Sequence, residues 1–581
     1  MRRFVLCAAV IAFVFPFISD AQNPDDQDAV MRLAGCVDPE LLDPEEAERL
    51  NDYLIRPLKI NLSSESEISS SGLFTEYQVV SLLDYIRRHG SVMSFAELAA
   101  IDGFSPGNVE LSRPFLDLSY NDEGVMPSGF HTYNDLCVRY SVRTDDDLKS
   151  SYALKYRLRH RDRLIVSLAA SSPTVPGMGP PEVYSGHISW KLHKRPVYFA
   201  AGDVNLRFGQ GLALWSGMSL SGASSIASFR RNGTGVSGVW SYTGSSAKTG
   251  LTAEVRTRKY RLSAFVCLPG IKSVKKFMNA PALMPGVAMS YYLKNTQFFM
   301  IHYMIMDGLT PDRFSIPDMK TSAGLSSCYR GADISAEVVY DWVNSTVAGL
   351  FTAIFPVSGQ TKLALNARCY PSGYNPSFSA AVRSGTKCSN EYGFAVCSQS
   401  SMNRHDITAS SDIAYYPEPK GEGDVSSQVR LFLNWDYEMS ATWFLSTRLT
   451  ERLRTWGQRS RADFRVDVRW EPSCFSMNAR FNYLYGRSHA FLGYMEGGYK
   501  DAILSSFLRI GIYKTKYWDD RIYVYERDAP GSFNVPFFYD KGLWISAVLS
   551  WKYSKWGKLY LRLEKRKPGK AELKLQGVFS F

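Results

Sequence analysis

The segment Ala571–Phe581, AELKLQGVFSF, alternates strictly. Leu573, Leu575, Phe579 and Phe581 fall on one face of an extended chain, and Glu572, Lys574, Gln576 and Ser580 fall on the other. A period of two with one oily and one wet face specifies a β-strand between two different surroundings. The same pattern recurs upstream. Leu154, Tyr156 and Leu158 alternate with Lys155, Arg157 and Arg159; after a turn at His160–Asp162 come Leu164, Val166 and Leu168. Val429, Leu431, Leu433, Trp435 and Tyr437 alternate with Arg430, Asn434 and Asp436, and Phe464, Val466, Val468 and Trp470 with Asp463, Arg465, Asp467 and Arg469. Leu543, Ile545, Ala547, Leu549, Trp551 and Tyr553 form another outer face, and Leu559, Leu561 and Leu563 the next. About two dozen such segments of roughly ten residues predict an all-β transmembrane antiparallel barrel of about 20–26 strands over residues 129–581.

Composition agrees with lipid as the outer solvent. The chain is 14% aromatic, with 34 Tyr, 33 Phe and 12 Trp. Beyond Ile18 no run of ~18 uncharged apolar residues occurs, so no transmembrane helix is expected. A barrel spreads its apolar residues over alternate positions and places aromatics at the membrane interfaces. A soluble all-β protein, its apolar face buried in a core, is the alternative that sequence leaves open. The end of the chain at Phe579 and Phe581 resembles the C-terminal insertion signal of bacterial outer-membrane barrels. That resemblance implies outer-membrane lipid and the barrel-assembly machinery as partners. Arg2 and Arg3 followed by the apolar Phe4–Ile18 and by Ser19-Asp20-Ala21 predict a signal peptide over residues 1–21, with a mature start at Gln22. Eight cysteines follow it, without CxxC or metal-ligand spacing; Cys388 and Cys397 are the one pair placed for a disulfide test. No metal or cofactor is expected.

The charge is divided. The chain carries a net +11, yet residues 22–118 hold 18 Asp and Glu against 7 Lys and Arg, a net −11. With +1 on residues 1–21, the remainder from 119 to 581 carries +21. An acidic front domain is tied to a basic barrel.

The front domain, 22–118, reads as short helices. Asp43-Pro44-Glu45-Glu46 supplies a cap, a first-turn proline and first-turn acids, opening a helix with Ala47, Leu50 and Leu54 on one face. Ser64 and Glu67, Thr75 and Gln78, and Ser94 and Glu97 fit capping boxes. Ser105-Pro106 starts a last helix carrying Val109. The run Ile60-Asn61-Leu62, Gly72-Leu73-Phe74, Tyr85-Ile86-Arg87, Gly90, Phe95, Glu97-Leu98, Gly103-Phe104-Ser105 and Pro114-Phe115-Leu116 resembles the tandem helix-hairpin-helix module of competence-type DNA-binding proteins, with its core over about 60–117. The resemblance implies phosphate- or partner-binding hairpins at Gly72, Leu73, Phe74 and at Gly103, Phe104, Ser105. The family's Gly–apolar–Gly hairpins hold a phosphate on backbone amides, a contact that needs free N–H groups. Here the second glycine is Phe74 or Ser105, Pro106 has no N–H, and the domain is acidic. Nucleic acid is therefore disfavoured, and a docking domain in the periplasm, for a protein partner or the barrel's own mouth, is preferred.

A barrel this wide encloses a lumen that leaks unless partly filled. The Gly/Ser-rich Asp203–Gly235 is the candidate filler, with a plain surface loop as the alternative; Arg207, Gln210, Arg230 and Arg231 are its candidate constriction residues. Gly202–Gly217 and Tyr525–Gly531 resemble segments of helix-hairpin-helix barrel proteins of the Bacteroidota. Pro371–Asn390, Pro417–Asp424 and Asp528–Lys541 read as extracellular loops, and Ser554–Gly557 as a periplasmic turn. HExxH, GxSxG and GxxxxGK[ST] are absent, and Gly209-Gln210-Gly211 lacks the third glycine of a dinucleotide fingerprint. His405-Asp406 reads as solvated surface, so no catalytic residue is named and no enzyme is expected. The front domain does not resemble a mixed α/β plug, which disfavours energy-coupled uptake through this chain alone. The expected function is an outer-membrane channel or a transport or assembly component. DNA uptake and a scaffold for a secretion or assembly machine are the alternatives.

Overall fold

Twenty-four antiparallel strands close into one barrel in the computed structural model. The structure describes residues 29–30, 33, 44–55, 57–63, 65–104, 106–120, 132–144, 147–160, 163–192, 195–217, 224–229, 231, 233–241, 247–268, 282–307, 314–421, 425–457, 460–532, 534–554, 556–567 and 570–581. The signal-peptide reading of residues 1–21 lies outside them, as do Ser64, Ser105 and Arg230.

Closure is made by the last strand, Lys570–Ser580, which pairs with the first, Thr132–Thr144, from Asp135 opposite Ser580 to Thr144 opposite Ala571. Asn134 and Phe581 exchange backbone hydrogen bonds at 2.7 and 2.9 Å, so the seam ends at what is here termed the C-terminal rim. Each strand pairs with the next in the wall, and the expected alternation holds. Leu154, Leu168, Ile188, Leu251, Leu543, Leu563 and Leu575 face outward and are exposed, whereas Lys155, Ser167, Glu254, Arg562 and Gln576 face inward and are buried. Exposing that much apolar surface to water would cost about 25 cal/mol per Å², so the outer belt is one that lipid covers. Aromatic pairs reinforce it near the C-terminal rim: Trp443 faces Trp470 across two strands at 6.0 Å, and Trp435 and Tyr437 stack on His405. His405 thereby joins the outer belt while Asp406 takes the inner face, so strand alternation separates the dipeptide.

The front domain is built of α1 (Pro44–Ile55), α2 (Glu65–Ser71), α3 (Glu76–His89), α4 (Phe95–Ala100) and α5 (Pro106–Ser112). Its termini follow the local chemistry. Thr75 and Gln78 form a reciprocal capping box on α3, and Gly90 closes that helix at φ +91. Ser94 accepts from the Glu97 amide at 3.1 Å, but the Glu97 carboxylate turns to the Met93 amide at 2.7 Å and the Tyr85 hydroxyl at 2.6 Å. Asn61 ties the domain together, donating to the Val92 and Leu118 carbonyls and accepting from the Val92 amide. The core packs Ala47, Leu50, Ile68, Leu82, Leu98 and Phe115, and it includes Val382 from the Pro371–Asn390 loop of the barrel.

Candidate functional site

Val382 points to the arrangement that matters: the helical domain lies against the inner wall of the barrel. On α1, alternate turns bury Ala47, Leu50 and Leu54 in the domain core and turn Glu48 outward. Glu48 pairs with Lys155 of the strand Leu148–His160; the two are 3% and 2% exposed. Its second oxygen accepts from the Ser241 hydroxyl at 2.6 Å. Lys155 and Arg157 both lie over the Trp240 ring, at 4.7 and 4.1 Å. Three further pairs descend toward the C-terminal rim: Glu67 with Arg159 at 2.5 Å, Glu65 with Lys191 at 2.8 Å, and Asp84 with Arg258 at 2.5 Å. Tyr77 adds a ring contact with Tyr292 at 6.0 Å. The −11 of the domain thus meets the +21 of the barrel side chain by side chain. Glu67, assigned to a capping box with Ser64, serves this interface.

The two environments move the carboxylates in opposite directions. Burial pushes Glu48 above the usual carboxylate range even with Lys155 beside it. Glu65 is also penalised by burial, but Arg256 and Lys191 outweigh that and hold it below the usual range.

A second layer closes over the domain. At Gly202, φ +104, a side chain would strike the Gly186 carbonyl; past this kink the strand Val197–Arg207 pairs with the short strand Gly235–Gly238. Between them, Phe208, Leu212 and Leu214 pack with Phe265, Phe299 and Tyr303 of the wall, and Ile226 and Phe229 with Ile354 and Ala364. Gly209 and Gly211, at φ +60 and +80, wrap the backbone around the Glu337 carboxylate, which accepts from the amides of Gln210 at 2.7 Å, Leu212 at 3.2 Å and Ala213 at 3.2 Å. Ser322 donates to the same group at 2.7 Å.

Three of the four expected constriction residues meet in this layer. Arg207 is buried and donates from Nε to the Ser216 carbonyl at 2.7 Å. Gln210 accepts from the Arg231 amide at 3.3 Å, and the Arg231 guanidinium lies over Trp215 at 4.7 Å while donating to the Ala380 carbonyl.

Two connectors expected on the extracellular surface turn inward instead. In Pro371–Asn390, Tyr374 donates to the Leu212 carbonyl at 2.7 Å, and Ala380 bonds to Gly211. Arg368 gathers Glu391, Asp412 and Ser384 beneath that loop. The other, Asp528–Lys541, belongs to the connector between the strands Leu504–Lys514 and Lys541–Ser554. There Arg562 and Arg509 hold Glu526 and the Tyr525 carbonyl, Lys574 holds Asp528, and Arg139 holds the carbonyls of Pro530 and Gly531. Inward charges with no water to face require such partners. These partners lie too far away in sequence for a motif to reveal; Glu337 carried one signal, its inward parity within Ala332–Asp341.

The described residues of the two expected hairpins lie within the helical domain. Leu73, Phe74 and Phe104 are buried, and the Phe74 and Phe104 rings meet edge to face at 5.4 Å. Gly72 and Gly103, at φ +69 and +85, leave no room for a Cβ beside the Arg49 guanidinium and the Tyr77 ring. Phe579 lies opposite Leu136 on the closing strand and Phe581 is exposed beyond it. Cys388 and Cys397 are both free thiols, one in the inward loop and one in the wall.

No protein-family model and no curated protein matches the chain. Solved barrels do. The translocation pore of the P pilus usher PapC is 10% identical, over 77% of this chain and 99% of that one, with a TM-score of 0.38. The siderophore receptor PirA of Pseudomonas aeruginosa is 9% identical, over 79% and 82%, at 0.40. An E. coli P pilus tip assembly intermediate, PapC-PapD-PapK-PapG, is 9% identical over 80% of this chain and 63% of that one, at 0.48. The likeness is one of overall shape.

Proposed function

We propose that this chain is a non-enzymatic barrel of the bacterial outer membrane, a transport or assembly component whose own acidic N-terminal domain is the gate of its lumen. The observation that carries the reading is the buried Glu48–Lys155 pair, which joins domain to wall inside the barrel. Such a pair adds little net stability over an apolar contact but makes any misdocked arrangement costly, by about 3–5 kcal/mol for one charge left alone. The partly exposed Glu65–Lys191 and Glu67–Arg159 pairs are weak, each worth about 0–1 kcal/mol. Held by one specific contact and several weak ones, the domain can leave when a partner or solute competes for it.

Short turns at the C-terminal rim, such as that between Leu293 and Thr296, and longer connectors at the other support a periplasmic C-terminal rim. The helix–glycine turn–helix pairs α2–α3 and α4–α5 support the tandem helix-hairpin-helix reading. DNA binding is disfavoured in the docked state: Thr75 occupies the Gln78 amide, and Phe74 and Phe104 face each other in the core.

Expression in a Gram-negative host tests the gate. The full chain is expected in the outer-membrane fraction, and its cells are expected to exclude a large fluorescent dye. Cells carrying Glu48→Gln, Glu65→Gln and Glu67→Gln together take the dye up; equal exclusion by both removes the reading.

A further inference from the structure

We infer that the part of the lumen wall left uncovered by the gate, on the strands Ser426–Glu438, Trp443–Arg454 and Ser460–Trp470, is a binding face for a chain-like polyanion. The inference rests on the lumen being a transport path, and it names the class of solute that path takes.

Register carries the argument. Arg430 lies opposite Arg452, and Arg452 lies opposite Arg461, so three guanidinium groups sit side by side on neighbouring strands. A second row places Arg448 opposite Arg465. Arg454, opposite Gln428, extends the first row toward the far rim. Like charges directly opposite one another oppose sheet pairing, and nothing in the fold of a barrel requires them. Arg368 and Arg562, by contrast, are buried and matched by acids, Arg368 by Glu391 and Asp412 and Arg562 by Glu526 and Glu564. Arg430, Arg452, Arg454 and Arg461 remain partly exposed.

The hydrogen bonds of three of them end on neutral oxygens. Arg430 reaches the Ser384 carbonyl at 3.3 Å, and Arg454 reaches the Gln428 amide oxygen at 2.6 Å. Arg461 reaches the carbonyls of Asp519 and Arg521 at 3.3 and 3.2 Å. Among the described residues no carboxylate lies within ion-pair distance of these three. At the top of the face, Arg454 and Lys420 lie over the same Trp456 ring, at 5.3 and 5.4 Å. In the lower row, the Asp467 carboxylate is shared by Arg465 and Arg480, both at 2.5 Å.

Neighbouring strands lie about 4.8 Å apart, so the Arg430–Arg452–Arg461 row spans roughly 10 Å. A guanidinium presents paired donors to carboxylate, phosphate or sulfate oxygens. A row of that length suits a solute that repeats its anionic groups rather than a single small anion.

The test is calorimetric titration of sodium tripolyphosphate into the full chain in phosphatidylcholine nanodiscs, beside orthophosphate. Tripolyphosphate is expected to bind at least tenfold more tightly than orthophosphate. Arg430→Gln with Arg461→Gln is expected to lose at least tenfold in affinity while the melting temperature stays level or rises, because repulsion is relieved. Arg430→Lys with Arg461→Lys keeps the charge and holds affinity within a few fold. Absence of binding by the unaltered chain, unchanged affinity in the glutamine variant, or a fall in its melting temperature would overturn the site. Binding is read without ion flow, so a chain that binds tripolyphosphate but conducts freely would remove the gate and leave this face standing.

Discussion

Glu48 on the first helix of the acidic domain and Lys155 in the middle of a barrel strand form an ion pair that is almost wholly shielded from water. One residue comes from the most acidic part of the chain and the other from the basic wall, 107 positions later. The pair converts a difference in net charge into a defined position inside the lumen.

Removing one member of that pair leaves a buried charge alone. Lys155→Met or Glu48→Gln is expected to weaken docking by about 3–5 kcal/mol, whereas Glu48→Leu with Lys155→Met together is expected to be close to neutral. Hydrogen exchange along α1 in the reconstituted full chain measures this. Equal protection in the single variants and the parent contradicts it.

Acid should weaken the lower part of the interface through Glu65. Arg256 and Lys191 hold its docked pKa below the ordinary value of 4.5, so its contribution is fully present above that pH and is lost as pH falls through the docked pKa. The difference in α2 exchange protection between the parent and Glu65→Gln should therefore vanish on acidification below pH 4.5.

The second layer rests on the turn around Glu337. A Cβ on Gly209 would lie 2.6 Å from the Phe299 ring and 2.9 Å from the Glu337 carboxylate, at a φ that side chains disfavour. Gly209→Ala is expected to destabilise this layer by about 1–3 kcal/mol. Glu337→Leu is expected to cost about 1–3 kcal/mol for each amide left without an acceptor. Limited proteolysis between residues 208 and 234 reads both; a cleavage pattern like that of the parent contradicts them.

The cysteines give a chemical check. Cys388 is buried in the inward loop, and burial pushes its thiol above the usual range. Mass spectrometry without reductant should find no Cys388–Cys397 bridge. A hydrophilic maleimide should label Cys388 only after unfolding; rapid labelling of the folded chain would place that loop outside the lumen.

Much of this architecture was legible because a period of two is the most local of signals. The outward Leu543 and Leu549 and the inward Arg465 and Asp467 followed from it, and so did a range of about 20–26 strands, within which the observed 24 fall. It reports two faces but not what fills the inner one. Trp544 sits on the inward face of its strand and is fully buried, because the stretch before Lys541 folds over it, and no pattern at Trp544 announces that cover. Arg207, Gln210 and Arg231 were found as a polar group in a glycine-rich stretch, yet the carboxylate that organises the segment, Glu337, lies more than 120 residues away. The turns at Gly72 and Gly103 were located by their glycines, whereas the pairing of Glu48 with Lys155 depends on contacts across the whole chain.

Ion conductance in planar bilayers tests the central claim most directly. The full chain is expected to stay closed at low ionic strength, with rare openings, and the variant carrying Glu48→Gln, Glu65→Gln and Glu67→Gln is expected to show large, sustained conductance. High salt, which screens the exposed pairs, should move the parent toward the variant. A parent that is open from the start, with the same conductance as the variant, would contradict a lumen gated by its own acidic domain.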